Sequence, residues 1–319
     1  MFPIEHSLFG TINYQIHHMR RGALNQFFSM QRVRQLQPMV QERVDTLINR
    51  MLDCQITGEI TQTENAFAAM ANDNVMQYSF GRHEYRIEAP SFDPTFSNTS
   101  CAAAHSLTLW KFFRLVLTLI MSLSECVLKR LRDGVAGTII LTPSSNKSKP
   151  LSSCATLFHE ILSSKLPEQE KSTLHLTDEA ELLVGAGTEM TGWTFSIAVF
   201  HLLDNQTILR TLEELKTVDS ESLAQTPFAT LQPLPYLAAI VNEFLRLSYG
   251  IAQCLQRVFL HLILFEPSNG SDASRNCNQR INPRSPPQRN YCPASYAFKP
   301  ERRSEDPGLA RYQMAFSGG

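Results

Sequence analysis

The segment LLVGAGTEMTGW joins glycines to a hydroxyl and an acid inside one apolar run. Gly185, Gly187 and Gly192 fall within two helical turns, around Thr188 and Glu189. Each glycine inside a helix costs roughly 1 kcal/mol relative to alanine, so three together indicate that something approaches the backbone closely. Two explanations stay open: a ligand held beside a proton relay at a bend in the helix, or close packing of a neighbouring helix.

A second group of residues can form a small charge cluster. Glu243 and Arg246, in NEFLRL, lie three residues apart and therefore on one helix face. Arg302, in FKPERR, supplies a second guanidinium. An isolated ExxR pair is a weak signal, because many exposed helices carry one. The order of the glycine-rich segment, the ExxR pair and the later arginine is more specific.

The composition is that of an ordinary globular protein. The chain has 319 residues, a formal net charge of -1 and 18% charged residues, which predicts neither a nucleic-acid partner nor a strongly acidic one. Its 7 cysteines form no CxxC pair, so no metal site is predicted and a reducing compartment is favoured. The apolar run of residues 107–123 is interrupted by Lys111 and Arg114. It is interpreted as a buried amphipathic helix, with a membrane-interface segment as the alternative.

Helical periodicity predicts a mainly α fold. Ser29 is the expected N-cap of a helix reaching Met51, with Pro38 marking a start or a kink. Gly81 is the expected stop of the next helix, and Thr177 the N-cap of a long buried one. The further predicted helices and their bounds are Glu64–Phe80, Thr177–Leu203, Gln206–Thr217 and Tyr236–Leu247.

Three regions follow from the change in composition along the chain. Residues 1–258 form the helical domain, with a polar linker at 142–150. Residues 259–293 are rich in Ser, Asn, Arg and Pro and show no apolar period, which predicts a disordered insertion or a segment translated out of frame. Residues 294–319 are expected to be ordered again, as coil leading into AFSGG.

In this order the motifs resemble the cytochrome P450 superfamily, most closely its filamentous-fungal secondary-metabolism members. HHMRRGALNQFFS resembles the helix whose basic residues hold a haem propionate, which implies His17 and Arg21 as contacts. AGTEMT resembles the oxygen-binding motif of the distal helix, which implies Ala186 and Gly187 beside the haem and Glu189 and Thr191 in catalysis.

The other two motifs resemble structural parts of the same family. Glu243, Arg246 and Arg302 resemble its buried charge triad, and AFSGG resembles the beginning of its haem-ligand loop. The resemblance implies a partial cytochrome P450 fold, mainly α, with a haem cofactor. It implies a haem-thiolate monooxygenase that acts on a small apolar substrate, of terpenoid or polyketide type, with NADPH-cytochrome P450 reductase as redox partner.

Four departures from the family pattern lead to further expectations. The ligand cysteine would fall four residues after Gly319, and neither Cys277 nor Cys292 is a suitable replacement, so the chain as written is expected not to bind haem through a thiolate. Met190 stands where the family has the oxygen-activating threonine, and a thioether cannot donate a hydrogen bond.

The family is anchored in the endoplasmic reticulum, whereas this sequence shows no anchor, so its location is expected to be cytoplasmic or is unknown. The sheet region is replaced by the polar tract. An impaired monooxygenase and a non-catalytic remnant without firmly bound haem both fit these departures.

Overall fold

A computed structural model describes residues 6–99, 156–214, 227–248, 294–306, 308 and 309. These residues are mainly helical and contain no β-strand, which confirms the predicted mainly α class. The linker at 142–150, the apolar run at 107–123, the tract at 259–293 and the AFSGG segment lie outside the described residues.

The first of two compact units comprises residues 1–10 and 19–192. Its described residues include four whole α-helices, α2 to α5, and parts of α1 and α6, which also contribute residues to the second unit. The unit also contains two short 3-10 helices, Pro90–Phe92 and Glu168–Lys171. The α-helices are α1 Tyr14–Leu24, α2 Met30–Gln35, α3 Gln37–Thr57, α4 Thr63–Phe80, α5 Leu157–Ser163 and α6 Thr173–Asp204.

Local sequence signals explain where the early helices begin and end. The Ser29 hydroxyl accepts a hydrogen bond from the Arg32 backbone N–H, as an N-cap should. Pro38 lies in the first turn of α3 and separates it from α2, because proline lacks the donor that a continuing helix needs. Gly81 ends α4 with φ at 66°, in the left-handed region that favours glycine. All three predictions are confirmed.

Two hydrophobic clusters form the core of the first unit. One lies between α3, α4 and the first 3-10 helix and contains Leu47, Met70, Ile87 and Phe92. The other joins α1 to α5 and includes Leu24, Phe27, Leu157, Ile161 and Leu166. Burying such side chains contributes about 1.5–3 kcal/mol each. The core therefore fixes α4 and α5 around the start of α6.

The second unit comprises residues 11–18 and 193–319. Its core contains Ala198, Ile208, Ile240 and Phe244, with Phe298 packed against them. The rings of Phe244 and Phe298 are stacked with their centroids 5.0 Å apart. The described helices of this unit are the start of α1, the end of α6, α7 Gln206–Glu214, α8 Phe228–Leu231, α9 Pro235–Leu247 and α10 Arg302–Glu305.

The predicted start of the long helix is wrong by one turn. Helix α6 begins at Thr173, and the Thr177 hydroxyl donates to the Thr173 carbonyl from inside the helix instead of capping it. Hydroxyl side chains make this bond to the preceding turn as readily as a capping bond, so residue type alone does not distinguish the two. Helices α4 and α9 begin within one residue of the predicted positions. Among the described residues, no helix has the length and hydropathy needed to cross a bilayer.

Candidate functional site around the glycine-rich helix

Two of the three glycines in α6 face helix α4 at very short range. A Cβ added to Gly187 would lie 2.6 Å from the Val75 side chain, and one added to Gly192 would lie 2.9 Å from the backbone of Ala68. Real Cβ atoms do not make such contacts, so only glycine permits this approach. Close helix packing therefore accounts for Gly187 and Gly192.

A buried polar contact lies between these two glycine positions. Asn72 of α4 donates to the Thr188 hydroxyl over 3.0 Å, and each residue is 1% exposed. One turn further, Met76 of α4 and Val184 of α6 belong to the same buried cluster. The contacts Ala68–Gly192, Asn72–Thr188 and Met76–Val184 advance along α4 while they go back along α6. This antiparallel contact between α4 and α6 is called the rear seam below.

The opposite side of the same segment of α6 is open. Ala186 is exposed and Met190 is 41% exposed. Apart from the backbone of α6 itself and the two neighbouring residues, no atom of the described part of the chain lies within 4 Å of where a Gly185 side chain would begin. Residues 186 and 190 are four apart and so share one helix face, which lies opposite Thr188. Gly185 is three residues before Thr188 and so lies on the Thr188 side of the helix. The surface made of Ala186 and Met190 is called the open face below.

The acid and the second hydroxyl of the motif are placed beside the open face. Glu189 and Thr191 are both half-buried. The helix remains α-helical from Thr173 to Asp204, so Thr191 is turned by about 100° from Met190. The Thr191 hydroxyl therefore does not occupy the place of the Met190 side chain.

The two arginines of HHMRR have different surroundings. Arg20 is buried, donates to the His6 carbonyl over 2.7 Å and pairs with Glu170 over 2.6 Å. Arg21 is exposed, and His17 is half-buried on the same helix. The guanidinium of Arg20 is thus used within the fold, whereas that of Arg21 is accessible.

Sequence reasoning missed a buried polar network around Arg20. Asp178 accepts from the His6 N–H over 3.0 Å and Glu179 accepts from the Leu8 N–H over 2.8 Å. Burial raises the pKa of Glu179 to about 7 and lowers the pKa of His175, whose ring contacts the His6 carbonyl. This network binds residues 6–8 to the first turns of α6.

The second unit brings together the three residues of the predicted charge triad. Arg246 contacts both oxygens of Glu243 at 2.8 Å, and Arg302 lies 3.5 Å from one of them. The Lys299 N–H also donates to Glu243 over 3.2 Å. Both arginines in addition donate to backbone carbonyls of the segment that precedes α10, Arg246 to Ser295 and Arg302 to Ala294. The cluster therefore holds this segment against α9.

The described residues offer no metal-ligand set. Within the ranges that the structure covers, no group of three His, Cys, Asp or Glu side chains could hold an ion. Cys54 is buried and its thiol donates to Glu59 over 3.8 Å. The other cysteines fall in parts of the chain that are not described, so any thiolate ligand would come from outside the described residues.

Comparison with known proteins gives a consistent family match. The cytochrome P450 family model matches residues 8–266. The chain is 32% identical to the cytochrome P450 monooxygenase tpcC of Cochliobolus heterostrophus over 100% of its own length. It is 32% identical to the monooxygenase astB of Talaromyces wortmannii over 98% of its length, and 31% identical to the monooxygenase orf4 of Eupenicillium brefeldianum over 100%. The chain spans 64%, 61% and 66% of the length of these three relatives.

The described residues fit the haem that this family carries. A flat, largely apolar ring needs an apolar helix face, and the small Ala186 side chain and the Met190 thioether provide one on the open face. Its propionate groups need an accessible cation, which the exposed Arg21 can supply. The open face and Arg21 are thus chemically suited to the two ends of such a cofactor.

Proposed function

This chain belongs to the cytochrome P450 family, and from that premise we propose that the protein carrying it is a haem-thiolate monooxygenase of fungal secondary metabolism. Its proposed substrate is a small apolar metabolite of terpenoid or polyketide type. The proposed electron donor is NADPH-cytochrome P450 reductase, at the endoplasmic reticulum membrane. The observation that carries the proposal is the division of AGTEMT between a sealed rear seam and an open face.

Each residue of the candidate site has a defined part in this proposal. Ala186 allows a planar ring to approach the open face of α6, and His17 and Arg21 hold its propionates by charge-assisted hydrogen bonds. When bound, a thiolate-ligated haem supplies the activation of dioxygen for insertion of one oxygen atom into the substrate. The triad of Glu243, Arg246 and Arg302 is proposed to have a structural part, which is to fix the segment before α10.

Proton delivery is the step of the proposed reaction that these residues support least. Glu189, half-buried beside the open face, can hold a proton. Met190, on the open face itself, cannot donate a hydrogen bond. Thr191 is turned away by about 100°. We therefore infer that oxygen activation is impaired relative to family members with a hydroxyl at this place.

The same residue favours a second candidate, a non-catalytic member of the family. If Met190 prevents proton transfer altogether, the protein would keep the family's fold but would not catalyse the oxidation. The experiment supplies the whole protein with reductase, NADPH and 18O2, and offers a panel of terpenoid and polyketide metabolites. The proposal expects an NADPH-dependent product carrying one atom of 18O. Haem-loaded protein that oxidises no compound in the panel would favour the non-catalytic alternative.

A further inference from the structure

A small cavity lies behind the glycine-rich segment, within the first unit. It is lined by α4, α6 and the segment from Arg86 to Ser97. Its volume of about 10 Å³, open to the centre of a water-sized sphere, is enough to hold a water. The polar side chains in its wall that matter here are Asn72, Arg86, Asp93 and Thr188.

Two of these side chains have complementary hydrogen-bonding needs. Asn72 uses its Nδ2 to donate to Thr188, while its Oδ1 is buried and has no hydrogen-bond partner among the described residues. Arg86, which is 7% exposed, pairs with Asp93 over 2.7 Å through one terminal nitrogen, while its Nε is buried and lacks an acceptor within the same part of the chain. Leaving one such group unsatisfied costs about 1–3 kcal/mol.

The wall of the cavity restricts the ligand to a neutral molecule. The Arg86 guanidinium disfavours a cation, whereas the Asn72 carbonyl oxygen and the Asp93 carboxylate disfavour an anion. The ligand must accept one hydrogen bond, donate another and fill the space of a single small sphere. Water is the molecule that meets all three conditions.

We propose that this cavity is the binding site of one ordered water, which donates to Asn72 Oδ1 and accepts from Arg86 Nε. The water completes a continuous polar chain from Thr188 through Asn72 and Arg86 to Asp93. This chain connects the rear seam to the segment of residues 86–97 and makes Asn72 a positioning residue for the AGTEMT segment. The inference rests on the packing of the first unit alone and is independent of the proposed function.

The test begins with a crystal structure of the full chain without substitutions. A density peak within hydrogen-bonding distance of both Asn72 Oδ1 and Arg86 Nε is the expected result. A dry cavity, or one filled by a protein side chain, would overturn the proposal. Because this measurement needs no variant, it decides the question even if every substitution unfolds the protein.

Oxygen-17 magnetic relaxation dispersion then counts the long-lived waters in solution. Asn72→Leu should reduce the count by one, because leucine fills similar space and offers no polar atom. Thr188→Val should leave it unchanged, because Asn72 keeps the oxygen that binds the water. Asn49→Leu, the same substitution at an exposed position of α3, is the matched control and should also change nothing. An unchanged count in a folded Asn72→Leu protein would contradict the assignment.

Discussion

Replacing Glu243 with alanine is expected to destabilise the second unit severely. The Glu243 carboxylate, 5% exposed, receives hydrogen bonds from Arg246 and from the Lys299 N–H, and it also lies 3.5 Å from Arg302. Alanine removes the carboxylate but leaves these donors in place. The consequence is a buried positive charge without its counter-charge.

The expected loss of stability depends on whether each donor can find water as a new hydrogen-bond acceptor. The Arg302 side chain is 8% exposed and cannot turn to water without moving α10. The Arg246 side chain, 24% exposed, can be partly rehydrated, and the Lys299 N–H loses a bond worth about 1 kcal/mol. Breaking a buried ion pair from one side typically costs about 3–5 kcal/mol. That is a large share of the roughly 5–15 kcal/mol by which a domain is stable.

The assay is urea denaturation of the parent and of two glutamate variants, followed by far-ultraviolet circular dichroism. Glu305→Ala is the matched control, since Glu305 pairs with Lys299 at the surface, 2.7 Å apart with both side chains about half exposed. Its loss should cost no more than about 1 kcal/mol. A Glu243→Ala protein that unfolds at the same urea concentration as Glu305→Ala would refute the account of this cluster.

Three further predictions test the helix that carries the motif. Gly192→Ala should lower the free energy of unfolding by about 1–3 kcal/mol, because a Cβ would lie 2.9 Å from the Ala68 backbone. Gly185→Ala should raise it by up to about 1 kcal/mol, and equal thermal melts for both would contradict the rear seam. In the whole protein with reductase, Met190→Thr should give more product and less hydrogen peroxide per NADPH, and an unchanged ratio would show that the missing hydroxyl does not limit coupling. The pKa of Glu179 is raised to about 7 from 4.5, so the parent should lose stability, by at most about 3 kcal/mol, as pH rises through that window. Urea titrations at several pH values should show a flatter profile for Glu179→Gln, and an unchanged profile would assign the dependence to another group.

Local features of the fold could be predicted from the sequence, because short-range physics determines them. Ser29 as a cap, Pro38 as a break and Gly81 as a stop act on neighbouring backbone groups, and apolar periodicity placed α4 and α9 within one residue. The start of α6 could not be placed this way, since Thr177 bonds the preceding turn instead of capping.

Long-range contacts at the candidate site could not be predicted. The sequence identified the glycines but left open whether they face a ligand or a helix. That choice depends on which side of α6 meets Val75 and Ala68, more than one hundred residues earlier in the chain. Similarly, nothing near HHMRR shows that Arg20 forms an ion pair with Glu170, 150 residues away. The burial of Arg20 follows a weak local signal, as it lies four and seven residues before the buried Leu24 and Phe27.

The most direct test of the central claim is the reduced carbon monoxide difference spectrum of the whole protein that carries these residues. If the open face of α6 lies against a thiolate-ligated haem, the parent should show the Soret shift characteristic of that ligation. Ala186→Phe should abolish it by blocking the ring, while Ala229→Phe, at an exposed position of α8, should retain it. A parent without the thiolate band despite bound haem, or an Ala186→Phe protein with an unaltered spectrum, would contradict the account.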